Sequence, residues 1–294
     1  MYAVKHVDLK TGTTCVAHHR NEVSAIVAAA ELERYLESKN VNSFQITREE
    51  LPTLHTNSLM LEVGRYCNLQ CEHCLRGEAQ NVKMPFDVAK AAIDQFDSIG
   101  TIMFTGGEPA LYGKEIKEIV DYIIATDVEV GSFYVATNGT VLSWDLIDAL
   151  IHLYAHCCEK NDCQLDISND HWHESDVNYT NANYAIYEAL AFTNKKGDFT
   201  ENYLVHEGNA AENGWGNRFL KTTYPFDYDL EYRTVDFVYI NAKGGILPDC
   251  DYSYKTQDEM KPYNIQDVIS GKISITDIFE KYNKEDKEDA VNQF

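Results

Sequence analysis

Apolar and polar positions follow one rhythm up to about residue 57 and another beyond it. In the first stretch, "YAVKHVDL" and "TTCVAHH" read as two strands joined by the turn "KTG". "NEVSAIVAAAELERYLESKN" follows, with Val23, Ile26, Val27, Ala30 and Leu36 largely at helical spacing and Asn21 placed to cap it. "NSFQITREEL" then predicts a third strand. Residues 1–57 are therefore expected to form a small ββαβ unit. It carries no obvious chemistry, and packing is a simpler role for it than docking a partner.

From Leu59 short apolar runs alternate with amphipathic stretches. "LMLEVG" precedes "FDVAKAAIDQFDSI", "TIMFTGG" precedes "KEIKEIVDYIIAT", and "GSFYVATNG" precedes "SWDLIDALIHLYAHC". "QLDISND", "NANYAIYEALAFTN" and "ENYLVHEG" continue the series. Strand and helix in alternation predict parallel strands with crossover helices. The units are too few for a closed eight-unit barrel, so an open, partial (β/α)6-type TIM barrel over residues 58–215 is the expected α/β fold. Its active site would lie at the C-terminal strand ends, where each conspicuous polar motif falls. Residues 216–294 break the pattern. "RTVDFVYINAKGGILPDCDYSY" predicts a β-hairpin extension with "AKGG" as its turn and Cys250 just beyond, and the charged tail "KYNKEDKEDAVNQF" is expected to fray.

Composition narrows the class. The chain has 294 residues, 44% hydrophobic and 12% aromatic, which suits a folded protein of one large or two modest domains. No apolar run approaches the ~20 residues of a membrane span, and no signal-peptide pattern opens the sequence. A soluble cytoplasmic protein with no membrane partner is expected. With 25 Lys and Arg against 47 Asp and Glu, the net charge of −22 disfavours a nucleic acid partner, whose phosphates require cations. Eight cysteines without a secretory signal point to metal or redox chemistry rather than disulfides.

Three of them stand in "YCNLQCEHCLRGE", where Cys67, Cys71 and Cys74 are separated by three residues and then two. Three thiolates suit an iron–sulfur cluster that keeps one iron open, and an open position is where metal chemistry happens. Zinc is the rival. Its fourth ligand would have to come from afar, for instance Cys157, Cys158 or Cys163, because His73 adjoins Cys74 and neighbouring side chains diverge. One βα unit later, "TGGEP" offers Gly106 and Gly107 for close backbone approach and Glu108 as an acceptor for a cation. "ATNGT" ends the third strand with Thr137, Asn138 and a Gly139 turn. "QLDISNDHWHESD" ends the fourth, and its Asp170, His171 and His173 are candidates for substrate contact or proton transfer. "LVHEGNAAENGWGNR" reads as a lid or as a plain connector, with Trp215 at the barrel mouth.

The cysteine triplet after the first strand, followed in order by the Gly-Gly-Glu-Pro turn, resembles the radical S-adenosylmethionine (SAM) superfamily over about residues 59–206. The resemblance implies that Cys67, Cys71 and Cys74 bind one [4Fe-4S] cluster, with SAM chelating the open iron through its amino and carboxylate groups. It places His73 near the adenine and Gly106, Gly107, Glu108 and Pro109 at the methionine amino group. Thr137 and Asn138 would face the methionine or ribose, and Ser168 the carboxylate or ribose. One feature departs from the pattern: no Arg or Lys lies between Ser168 and Ala191 to pair with the SAM carboxylate, leaving Arg218 or a histidine for that role.

The hairpin ending in Cys250 is similar to the start of the SPASM and twitch extensions of peptide- and protein-modifying members. No cysteine follows Cys250, so a single cluster is expected. Cys250 itself reads as a small buried hydrophobe or as a hydrogen-atom donor of the kind used by epimerases in the superfamily. The implied function is reductive cleavage of SAM to a 5′-deoxyadenosyl radical that takes hydrogen from a peptide, protein or small-molecule substrate. A reductase such as flavodoxin or ferredoxin would supply the electron. Two alternatives remain open at this point: a nucleotide-modifying radical SAM enzyme, and a zinc-stabilised, non-catalytic binding protein.

Overall fold

The architecture was taken from a computed structural model of the chain. It describes residues 2–19, 22–41, 43–50, 54–126, 128–168, 170, 172–173, 181–196, 203–217, 228–229 and 234–282. The expected fray of the tail, from 283 onward, lies outside them, as do Asn21, His171 and Arg218.

The N-terminal unit has the ββαβ order that its pattern predicts. β1 (Tyr2–Asp8) pairs antiparallel with β2 (Thr14–His19) and, across its other edge, with β3 (Phe44–Glu50). Between them runs α1 (Glu22–Ser38), which buries Ala25 and Leu36 and leaves Val23, Ile26 and Val27 exposed.

A second, nine-stranded sheet forms the body of the molecule. β4 (His55–Gly64), β5 (Ser98–Gly106), β6 (Glu129–Thr137), β7 (Gln164–Ser168) and β8 (Thr193–Lys196) lie side by side and parallel. The crossovers are α2 (Phe86–Ile93), α3 (Gly113–Ala125), α4 (Trp144–His156) and α5 (Asn181–Glu188). Alternation sorts the side chains. Leu59, Leu61 and Val63 of β4 and Val135 of β6 join the main core, whereas Met60, Tyr134 and Ala136 face a cavity on the concave side. α4 begins where Ser143 accepts a hydrogen bond from the Leu146 amide through its hydroxyl, an N-cap that the sequence "SWDLI" spells out.

The structure corrects two expectations. "ENYLVHEG" is not a ladder strand: the strand after α5 is β8, and Val205 makes only an isolated bridge to Asn217. The sixth parallel strand is β10 (Thr234–Ile240), the first arm of the hairpin expected to lie outside the barrel, and it pairs with β4. β11 (Gly245–Leu247) returns antiparallel through a turn in which the Asn241 carboxamide oxygen accepts from the amides of Lys243 and Gly245, and Gly244 sits at φ +82°. The two-residue β9 (Tyr228–Asp229) and β12 (Tyr263–Asn264) complete a sheet that stays open. Among the described residues after β8 are the short helices α6 (Gly208–Glu212), α7 (Tyr254–Met260) and α8 (Ile265–Ile269), and a helical stretch over 275–282.

The hairpin docks on β4 through a buried polar knot. Glu62, which has no solvent exposure, accepts from Arg65 Nε at 2.6 Å, from the Ala242 amide at 3.0 Å, from Gln257 Nε2 at 3.1 Å and from the Tyr239 hydroxyl. Arg65 spends its remaining donors on Gln80, Gln257 and Asp258. Removing one partner from such a pair leaves a buried charge uncompensated. Arg65→Met is therefore expected to lower unfolding free energy by about 3–5 kcal/mol in urea titrations, and a loss below about 1 kcal/mol would show the knot to be passive.

Candidate functional site

The cysteines occupy a loop that leaves β4 at Gly64 and returns at Lys83, where the two residues form a bridge. Its mouth is closed by the Arg65 amide donating to Val82 O at 2.9 Å and the Gln80 amide to Arg65 O at 3.1 Å. On one side the turn after β5 presses against it. The Gly107 amide donates to Gly64 O and the Glu108 amide to Tyr66 O, at 2.9 and 3.1 Å. A Cβ at Gly107 would sit 2.1 Å from Tyr66 O, and one at Gly106, held at φ +144°, would sit 2.0 Å from Gly64 O. The paired glycines thus admit the cysteine loop's own backbone.

On the other side "GNAAEN" clasps the loop. Asn209 donates its amide to Cys74 O and its Nδ2 to Cys71 O, both at 2.9 Å, and Asn213 Nδ2 donates to Glu72 O at 3.0 Å. At Gly208 a Cβ would collide with the backbone of Cys74, Leu75 and Gly77. Of the two sequence readings for this segment, lid or connector, the geometry gives a third: a buttress. Nothing in the spacing announces it, because the partners are backbone carbonyls 138 residues away.

The Glu108 carboxylate is buried and already engaged. It accepts from the Ala110 amide at 2.9 Å, from Thr137 Oγ1 at 2.6 Å and from the Asn138 amide at 2.8 Å. It therefore fastens the end of β5 to the end of β6, while burial pushes its pKa up against these bonds. Asn138 is fixed in turn, its Nδ2 donating to Asn68 and its Oδ1 accepting from Thr140. A carboxylate offers roughly four acceptor sites, so one stays open for a cation.

One cavity of about 460 Å³, within the size range of small-molecule sites, collects the candidates. Cys67, Cys71, His73 and Cys74 line it, with Gly106, Gly107, Glu108 and Pro109, Thr137 and Asn138, Ser168, and Cys250 from the hairpin. Burial raises the Cys67 thiol to about 11, assisted by the charge of Glu108, so ligation to a metal has to displace a proton. The donor set fits an extended cluster. Three cysteines on one loop that all line the cavity can hold three irons of a cluster and leave the fourth open. Of the distant cysteines, only Cys250 lines the cavity. Cys157 and Cys163 are buried partners of each other where α4 ends and β7 begins, the opposite end of the strand from Ser168, and Cys158 is exposed there.

Cys250 reaches the cavity because Arg76 holds its segment. Arg76 Nη1 donates to Cys250 O and Tyr252 O, each at 2.8 Å, and its guanidinium lies 5.3 Å from the centroid of the Tyr239 ring. Burial first, and then the Asp251 charge, push the Cys250 thiol to about 12, so it stays protonated. Asp249 turns inward to accept from the amides of Cys250 and Asp251. Across the cavity His173 Nδ1 meets Asp170 Oδ1 at 2.7 Å, and its ring stands edge-on to His73 at 4.8 Å. Trp172 joins His73 to Trp215, with ring centroids 5.6 and 5.2 Å apart.

Comparison with known proteins bears on the same stretch of chain. Residues 61–197 match the sequence profile of the Radical SAM superfamily. The match places a Radical SAM domain in that part of the chain. An uncharacterised protein of Methanocaldococcus jannaschii is 35% identical over 99 residues, 32% of this chain and 35% of that one. The AdoMet-dependent heme synthase of Nitratidesulfovibrio vulgaris is 41% identical over 88 residues, 28% of this chain and 23% of that one. The chain thus spans about a third or less of the length of these relatives. Among solved structures, native anSMEcpe with bound AdoMet and Cp18Cys peptide aligns with a TM-score of 0.40 at 13% identity, covering 79% of this chain and 82% of that one.

The radical SAM family uses a [4Fe-4S] cluster and SAM, and the sequence expectation of these cofactors stands with it. Residues that the motif reading missed are the supports: Arg76, Asn209, Asn213 and the Glu62–Arg65 pair. Only Arg76 had a visible signal, as the cation closing "CEHCLR". Gly107→Ala is expected to shift Tyr66 and Cys67 and cut iron uptake on the order of tenfold, measured as iron per chain after anaerobic reconstitution. Uptake equal to wild type would mean that the loop yields to the methyl group.

Proposed function

We propose that the protein is a radical SAM enzyme in which Cys67, Cys71 and Cys74 hold the cluster and the same cavity takes SAM and the reacting end of a substrate. The observation carrying this is the convergence of the cysteine triplet, His73, the Gly106–Pro109 turn and Cys250 on one cavity at the C-terminal ends of parallel strands. When bound, the cofactors supply a one-electron cleavage of SAM that yields a 5′-deoxyadenosyl radical able to take hydrogen from an unactivated C–H bond.

The chain's own residues do the rest. Glu108 presents its remaining acceptor site to the methionine ammonium, and a cation there favours its ionised form against the burial that opposes it. His73, packed against the tilted Trp172 ring and the edge-on His173 ring, offers an aromatic surface to the adenine. Ser168, at the end of β7, faces the ribose or carboxylate. Cys250 keeps its hydrogen on sulfur and serves as a hydrogen-atom donor to a substrate radical.

The substrate class is a peptide, protein segment or small molecule. The hairpin that delivers Cys250 resembles the start of SPASM and twitch extensions, and the charge of −22 suits a basic partner. Similarity to a segment of a heme synthase keeps small molecules within the reading. A flavodoxin- or ferredoxin-type reductase is the natural electron source.

Anaerobic protein is expected to carry about four irons per chain and, with dithionite, to release 5′-deoxyadenosine from SAM. Alanine at Cys67, Cys71 or Cys74 abolishes both. One zinc per chain and no deoxyadenosine would sink the reading. Cys250→Ala is expected to keep the iron and the deoxyadenosine release while losing substrate turnover. Loss of iron in that variant would make Cys250 a ligand instead of a donor.

A further inference from the structure

Tyr254 opens α7, and two contacts tie it to the cysteine loop. Its amide donates to Arg76 O at 3.1 Å, and the Arg65 guanidinium carbon lies 4.7 Å from its ring centroid. Only 2% of the residue is exposed. Its hydroxyl is buried and has no hydrogen-bond partner, whereas the neighbouring buried Tyr239 hydroxyl donates to Glu62. An unmet buried hydroxyl costs about 1–3 kcal/mol, so a group in this position calls for an acceptor that arrives later. The ring lines a second cavity of about 410 Å³, adjoining the first through Cys67, Cys71, Cys74, Gly106 and Gly107.

The lining of that cavity says what kind of acceptor fits. Cys67, Cys71 and Cys74 stand in it with Tyr254, and a phenol is a donor that complements an anionic sulfur.

We propose that the Tyr254 hydroxyl donates a hydrogen bond to the Cys74 sulfur once that thiolate ligates the cluster, and thereby raises the cluster's reduction potential. The inference rests on the assignment of Cys74 as a cluster ligand. Hydrogen bonds to ligand sulfurs stabilise the reduced, more negative state and are among the main levers on the potential of such centres. Tyr254 is a positioning and tuning residue here, not one that touches substrate.

The test compares full-length wild type with Tyr254→Phe, which keeps the ring and its stacking on Arg65. Both are reconstituted anaerobically to matched iron content and titrated under EPR detection. The variant's reduction equilibrium is expected to be about tenfold less favourable, a drop of about 59 mV for one electron. Without metal, the variant should melt at the wild-type temperature or above it, because it buries no orphan hydroxyl. Equal potentials at matched iron overturn the proposal, as does a metal-free variant that melts lower, since the hydroxyl would then already have a partner. Failure of the wild type itself to take up iron would instead overturn the cluster assignment, and this inference with it.

Discussion

A carboxylate with no access to water must find its partners within the protein, and Glu62 finds four. Their positions determine the rest of the molecule. Arg65 is three residues on, at the start of the cysteine loop. Tyr239 and Ala242 belong to the hairpin strand and its turn, and Gln257 to α7. One buried charge therefore decides that β10 lies on β4 and that α7 lies under the cysteines. It also places the segment carrying Cys250 beside the loop, because Arg76 can reach its carbonyls only when the hairpin is docked.

The second constraint is steric. Gly106 and Gly107 bring two strand ends into contact so close that no side chain fits between them, and Gly208 does the same from the far side. The cysteine loop is thus gripped by backbone on both flanks before any ligand arrives. Preorganisation of this kind is what a site needs when three thiolates must meet one cluster with an open position facing the cavity. Glu108 shows the same economy: it bonds β5 to β6 through three donors and still keeps a site for a cation.

What the sequence made legible was local chemistry. The cysteine spacing, the Gly-Gly-Glu-Pro turn and the period-two and helical patterns each lie within a dozen residues, and the structure brings the motif residues to one cavity. What it hid was long-range. "ENYLVHEG" has the apolar density of a strand, yet Val205 forms only a bridge, because Gly208, Asn209 and Asn213 are committed to the cysteine loop. Both arms of the hairpin were readable, but its parallel pairing with β4 was not. That pairing depends on Glu62, which inside "LMLEVG" looks like the solvent-facing residue of an alternating strand. The glycines were read correctly as sites of close approach, but what approaches is the chain itself.

The charge distribution ties these strands of argument together. A chain with net charge −22 places two buried guanidiniums, Arg65 and Arg76, beside its cysteine loop and almost none elsewhere in its described core. Arg65 is ion-paired with Glu62 and Asp258, whereas Arg76 bonds neutral carbonyls and faces aromatic rings, with the Glu62 charge favouring its ionised form. In a low-dielectric pocket an uncompensated cation is costly unless negative charge is due there. Were Cys67, Cys71 and Cys74 to ligate a cluster as proposed, their thiolates would bring negative charge beside it. Arg76 would then both hold the Cys250 segment by its carbonyls and offset the sulfur charge.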